Sequence, residues 1–372
     1  MKKLILISTI FLLSIPFYTV KAMEKTADIL KKNVVTSGDG LYVDSTIDGR
    51  YIYRGANPNN YIKLGDDLYR IISIEKDGTI KVIKQDSIGS MAFDTQDARH
   101  STNSADFCTS PYGCKAWGSN TTTLDSKGNN VTQMPSEIGG NLYNLPDKEA
   151  PINIYLNNVF YSNLNDDVKE LMVEKTWNVG LIADNQTNLS ESIKEEEAYK
   201  WKGKVALMNA TDYVKSSINS ACIDVNAYNK DSSCYENSEV HNYLYSSNYP
   251  LTLQPGSDRD ACAVFNVNIR GSMNGGSASY SGYGVRPALY LSAKTTLNGE
   301  GSETNPYTIS KYIEEPKDEE NKSEVKVDNG QIVEVPSTSA FGSVVIAGLG
   351  LACVIGSVYV TNKATRKKKK NL

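Results

Sequence analysis

From Phe341 to Val360 the chain runs for twenty positions without a charged residue, and no other feature limits its architecture as much. A hydrocarbon layer about 30 Å thick is crossed by a helix of about 20 apolar residues, and glycines such as Gly342, Gly348, Gly350 and Gly356 are tolerated in such helices. Lys363, Arg366 and the run Lys367 to Lys370 follow at once. A basic cluster of this kind stays on the cytoplasmic side, so the stretch reads as a transmembrane helix with everything before it outside. At the other end, Lys2 and Lys3 precede an apolar run from Leu4 to Val20 that closes in Val20-Lys21-Ala22. That order of charged, apolar and small residues reads as a signal peptide cut after Ala22. The alternative, an uncleaved anchor, is disfavoured by Pro16 and by an apolar core short for a span.

Setting both ends aside changes the charge balance. The whole chain carries −4, and removing Lys2, Lys3, Lys21 and the six basic residues after Val360 leaves residues 23–360 at −13. So acidic a body repels phosphate backbones, which argues against nucleic acid as a partner. Its 23 tyrosines against 7 phenylalanines fit a wet, hydrogen-bonding surface of the sort recognition proteins use.

Cysteine usage agrees with an exported chain. Cys108 with Cys114 and Cys222 with Cys234 are the natural local disulfides, while Cys262 is left over and Cys353 falls in the apolar span; spacing alone does not fix the pairing. With no CxxC pair and only His100 and His241, a zinc site is not expected, and no other metal or cofactor site is read.

The expected class is α+β, with strands at both ends and helices between them. Strands are expected at Leu41–Val43, Arg50–Arg54, Tyr61–Lys63, Leu68–Glu75 and Thr79–Gln85, the last two joined by the Lys76-Asp77-Gly78 turn. Long loops should fill about 90–146. Helices follow over Ile152–Tyr161 and Asp166–Lys175, then at Glu191–Lys200, from Ala210, and at Glu239–Ser246, with strands at Trp177–Ala183 and Lys204–Met208. Ala263–Ile269 and Gly284–Leu291 are read as the last two strands, with a Gly- and Ser-rich connection between them. The resulting plan is a signal peptide (1–22), an N-terminal extension (23–49), one large globular ectodomain (50–312), a charged, unfolded stalk (313–334) and the anchor with its basic tail (335–372).

Just before the apolar span stand Val335, Pro336, Ser337, Thr338 and Ser339. With the span and basic tail behind it, this resembles the LPxTG sorting signal of sortase-processed surface proteins, Val335 standing for Leu and Ser339 for Gly. The resemblance implies cleavage after Thr338 by a sortase and attachment to peptidoglycan; a plain membrane anchor is the alternative. Further motifs lie at Arg50 to Tyr61, Leu68 to Ile72, Gly203 to Leu207, Leu251 to Pro255, Gly284 to Leu291 (GVRPALYL) and Asn305 to Ile309. Together they resemble an uncharacterised family of exported, wall- or membrane-anchored proteins of low-GC Gram-positive bacteria. Its Trp-Thr-Leu-Ser-Pro-like segment is altered here at Tyr249, Pro250 and Gln254. The closing order of polar loop, strand, Gly-rich turn and Val-Arg strand is similar to the C-type-lectin-like fold, which implies architecture and no activity.

No catalytic residues are assigned. Asp258 with Asp260, or Asp166 with Asp167, read more simply as solvated faces or helix caps than as acid pairs. Gln254-Pro255-Gly256 lacks the carboxylate a calcium-dependent sugar site needs. Trp117, in a polar loop near Cys114, and Arg286, before Pro287, are the candidates to face a ligand, although such a tryptophan is more often core and an arginine in a closing strand more often anchors loop carbonyls. The expected function is non-catalytic recognition or adhesion toward an unknown extracellular ligand, with a cell-wall-acting enzyme or a structural surface protein as alternatives. An exposed aromatic groove would favour the first, and a cleft with convergent, perturbed carboxylates the enzyme.

Overall fold

In the computed structural model the described residues are 23–95, 99, 113–135, 142–248, 250–256, 263–312, 327–328 and 331–332. The chain divides into two compact units, Met1–Ile313 and Glu314–Leu372. Signal peptide, sorting motif and apolar span lie outside the described residues, among which no helix is long and apolar enough to cross a membrane. Of the second unit only a minimal pairing of Val327–Asp328 with Gln331–Ile332 is described, within the stretch expected to be an unfolded stalk.

The first unit opens with helix α1 (Thr26–Lys31) and strand β1 (Gly40–Val43), followed by β2 (Tyr51–Arg54), β3 (Tyr61–Leu64), β4 (Asp67–Ile74) and β5 (Ile80–Lys84). The β4–β5 hairpin has a local cause. Asp77 accepts hydrogen bonds from the Thr79 amide (3.0 Å) and hydroxyl (2.6 Å), and Gly78 takes φ +81°, where side chains are strained. Segment 23–49 also belongs to this unit: β1 pairs with β2, and Thr26 Oγ1 meets Thr295 Oγ1 at 2.8 Å.

Residues 90–146 hold three short strands, β6 (Thr123–Asp125), β7 (Gln133–Pro135) and β8 (Leu142–Asn144). The helix expected over Ile152–Tyr161 is present but uneven: α2 (Pro151–Ile154) widens into a π-helical stretch at Tyr155–Phe160 before α3 (Tyr161–Asn163). Inside the wide turn, Asn157 bonds both backbone groups of Val205, at 2.8 and 3.1 Å, which ties the helix to the sheet. Next come α4 (Asp166–Leu171), β9 (Met172–Val173), β10 (Lys175–Asn178), α5 (Leu189–Glu197), β11 (Tyr199–Gly203), β12 (Val205–Ala206) and α6 (Ala210–Lys215). β10 stops well short of Ala183. At Gly180 the chain turns toward α5, whose Glu196 carbonyl accepts its amide at 3.0 Å.

Two helices the sequence did not signal, α7 (Val225–Lys230) and α8 (Ser232–Tyr235), follow Cys222, which is disulfide-bonded to Cys234 of α8. The helix expected over Glu239–Ser246 is one 3-10 turn, Ser238–Val240. Asn242 spends its side chain on the Tyr213 carbonyl, the Tyr228 hydroxyl and the Leu244 amide, a competing pattern that ends helical winding. The last strands are β13 (Leu251–Pro255), β14 (Ala263–Val267), β15 (Met273–Ser277), β16 (Ala288–Leu291), β17 (Thr295–Asn298) and β18 (Tyr307–Lys311). Strands therefore continue past Leu291, and β15 arises from the stretch expected to be a loop.

The class is α+β. The main sheet runs β12-β16-β5-β4-β3-β18-β17, with β2 added on β4, β1 on β2 and β9 on β16; β18 and β3 are parallel. Smaller sheets are β10-β11-β6, β13-β14-β15 and β7-β8. β4 and β5 read as near-continuous apolar runs because helices and loops cover the sheet, and Ile71, Ile72, Ile74, Ile80, Val82 and Ile83 are all fully buried.

Candidate functional site

Where α6 meets the main sheet, a buried charge cluster forms. Asp212, in the first turn of α6, is placed by a capping box with Asn209. Its carboxylate accepts from Arg50 Nη2 at 2.7 Å and Lys81 Nζ at 2.6 Å. Lys81 also reaches Asn209 Oδ1 at 2.6 Å and lies 5.0 Å from the centre of the Trp177 ring. Arg50 continues to Glu75 at 3.3 Å and Asp44 at 3.7 Å, and Lys215 pairs with Asp44. Burial alone would raise Asp212, but Lys81 and Arg50 hold it well below the usual carboxylate range; Asp44 is likewise lowered against its burial by Lys215 and Arg50.

Three cations (Arg50, Lys81, Lys215) thus face three carboxylates (Asp44, Glu75, Asp212), a balanced set. Glu196, bonded to the Thr211 amide (3.0 Å) and hydroxyl (2.6 Å), is a fourth acid with no cation of its own. Burial, with a contribution from Asp212, raises it to about 7. The native state therefore keeps a proton that the unfolded chain has lost, and stability from this group falls as pH rises from about 4.5 through about 7. Glu196→Gln should keep the neutral hydrogen bonds and remove that loss, gaining on the order of 2–3 kcal/mol over wild type at pH 8 and nearly nothing at pH 4.5. Denaturant midpoints of both proteins across that range check this, and the difference between them cancels the opposing effects of Asp212, Asp44 and His241.

The centre of the cluster is closed to solvent: the Asp212 and Lys81 side chains are each 1% exposed. A small cavity of about 230 Å³ touches its outer end at Asp44 and Lys215. There Lys215 is spent on Asp44, and Arg54 donates to the Ser217 carbonyl at 2.7 Å. A second hollow of about 570 Å³ includes Asp39, whose carboxylate is occupied by the amides of Ala56 and Asn57. His241, for which spacing offers no nucleophile, has Nδ1 2.8 Å from Ser217 Oγ. Both are buried, 7% and 1% exposed, and burial lowers the imidazole's pKa.

An open groove of about 540 Å³ lies over β14 and β15. The turn Asn268–Ser272 between these strands is knitted by Asn268 Oδ1, which accepts from the amides of Arg270 (2.8 Å) and Ser272 (3.2 Å), and it leaves Ile269 55% exposed. Gly271 takes φ +90°, and a Cβ there would come within 2.1 Å of Ser238 Oγ, so the position needs glycine. Across the groove Tyr280 is 53% exposed and meets buried Tyr283 edge to face, centroids 4.9 Å apart. Gly276 makes room for this pair: a Cβ would lie 2.1 Å from the Tyr283 hydroxyl. Asn266 donates to the Asn274 carbonyl at 3.0 Å. Its own Oδ1, the Asn274 Nδ2, the Arg270 guanidinium and the Tyr280 hydroxyl have no protein partner among the described residues.

The residues singled out from sequence lie elsewhere. The exposure expected of Trp117 is not found: it is 1% exposed, between Phe93 (5.9 Å) and Trp201 (5.7 Å), because β6 and α2 close over its loop. Arg286 is buried as well. It donates to the carbonyls of Lys84 and Leu244, both at 2.9 Å, and burial together with Arg70 lowers its pKa to about 10. Cys222 and Cys234 are paired, Cα atoms 4.7 Å apart. Cys114 is also in a disulfide, and its expected partner Cys108 lies outside the described residues. No group of three His, Cys, Asp or Glu suited to a metal occurs among the described residues.

Residues 144–293 match the model of a family described as a domain of unknown function, DUF6273. The match takes in the whole groove, α6, Glu196 and Arg286, whereas Arg50 and Lys81 precede it. No curated protein and no solved structure matches the chain.

Proposed function

We propose that the protein is a surface-tethered, non-catalytic recognition module whose binding face is the groove over β14 and β15. One observation carries this reading: the open concavity collects polar atoms without protein partners among the described residues beside a half-exposed tyrosine, while Asp212, the carboxylate at the centre of the charge cluster, is sealed in the core. A cell-wall enzyme would need the reverse, carboxylates reachable from a cleft. The tether rests on the sequence: the signal-like start, the LPxTG-like Val335 to Ser339, the apolar span and the basic tail, as in exported proteins of Gram-positive bacteria. The face is tested by sedimenting the purified full-length chain with insoluble cell-wall sacculi and with an extracellular-matrix gel. Tyr280→Ala should weaken binding about tenfold, as loss of an exposed aromatic anchor does, with an unchanged melting midpoint. Full binding by that variant would refute the assignment.

A further inference from the structure

Resting on that reading, we infer that the groove takes an uncharged, hydroxyl-rich glycan chain. Charge sorts the candidates first. Arg270 is the one charged residue lining the groove among those described, and none of the described lining residues offers a carboxylate to a polycation. The unit that holds it carries −8 over residues 23–313, and at a screening length of about 8 Å in physiological salt it disfavours a polyanion near the surface.

Shape and polarity sort the rest. An extended peptide would need pockets for alternate side chains. The groove instead offers a surface of amides, hydroxyl and glycine backbone, with Ile269 and Tyr280 as its exposed apolar groups. A pyranose presents an apolar C–H face and a rim of hydroxyls that both donate and accept. The Tyr280 ring, held edge-on by Tyr283, is a platform for that face. Asn266 Oδ1, an acceptor, and Asn274 Nδ2, a donor, have no protein partner among the described residues and together match a rim of hydroxyls that both donate and accept. Arg270 then acts as a neutral-oxygen donor at the groove's end.

The test is binding of the full-length chain to five probes: cellohexaose, an N-acetylglucosamine hexamer, polygalacturonate, poly-L-glutamate and carboxymethylated casein. The expected result is binding of an uncharged oligosaccharide that persists in 0.5 M NaCl, falls at least fivefold in Tyr280→Ala, returns in Tyr280→Phe, and changes less than threefold in Arg270→Gln. Binding that favours the two polyanions and vanishes in salt would overturn the uncharged class. Casein bound through Tyr280 would sink the glycan and leave the recognition face standing. If none of the probes binds through Tyr280, both readings fall.

Discussion

Asp212→Ala is expected to cost about 3–5 kcal/mol of stability, because it leaves Lys81 in the core with no carboxylate of its own and the buried set one negative charge short, Arg50 keeping only Glu75 and Asp44. Arg50 and Lys81 both end on this carboxylate, at 2.7 and 2.6 Å. Neither can swing out to water: the Arg50 and Lys81 side chains are 6% and 1% exposed. The substitution also removes the acceptor for the Asn209 amide, so the first turn of α6 loses half of its capping box. Asp212→Asn keeps the shape and an acceptor but not the charge, and should fall between alanine and wild type. Denaturant midpoints give the ranking. A loss below about 1 kcal/mol for alanine would mean that the cations are solvated in the native state and the cluster is not a core element.

Thr338→Ala should move the protein from the wall to the membrane fraction of its native host. If a sortase cuts after Thr338 and transfers its carbonyl to a wall amine, wild type resists detergent and is released by a wall hydrolase, while the variant keeps its apolar span and becomes detergent-soluble. The expected change is close to complete, since covalent attachment has no partial form. If both proteins extract in detergent, Val335 and Ser339 have disabled the signal and the apolar span alone holds the chain.

Features written locally in the sequence were legible. The β4–β5 hairpin follows from Asp77-Gly78, and α4 begins at Asp166 as expected, although it ends at Leu171 rather than Lys175. The charge cluster was not legible. Asp212 is 162 residues from Arg50 and 131 from Lys81, and no spacing rule links them. Lys81, in the Ile-Lys-Val-Ile-Lys of β5, is a charged residue in a buried strand, and its partner carboxylate comes from distant α6. The groove was hidden for a related reason. Asn274, Gly275 and Gly276 have low strand propensity and read as loop, yet β14 pairs with all of them and Gly276 is small enough to admit Tyr283. Trp117 shows how little a polar neighbourhood decides: the general tendency of tryptophan to be core held over the exposure its loop suggested, because the ring packs between Phe93 and Trp201.

The most direct test of the central claim compares wild type, Tyr280→Ala and Ser220→Trp, which obstructs the cavity next to the charge cluster, in sedimentation with cell-wall sacculi and matrix gel, alongside melting midpoints. The groove assignment predicts about tenfold weaker binding for Tyr280→Ala and none lost for Ser220→Trp, with all three equally stable. Binding kept by Tyr280→Ala and lost by Ser220→Trp would contradict it and move the site to the cavity beside Asp44 and Lys215.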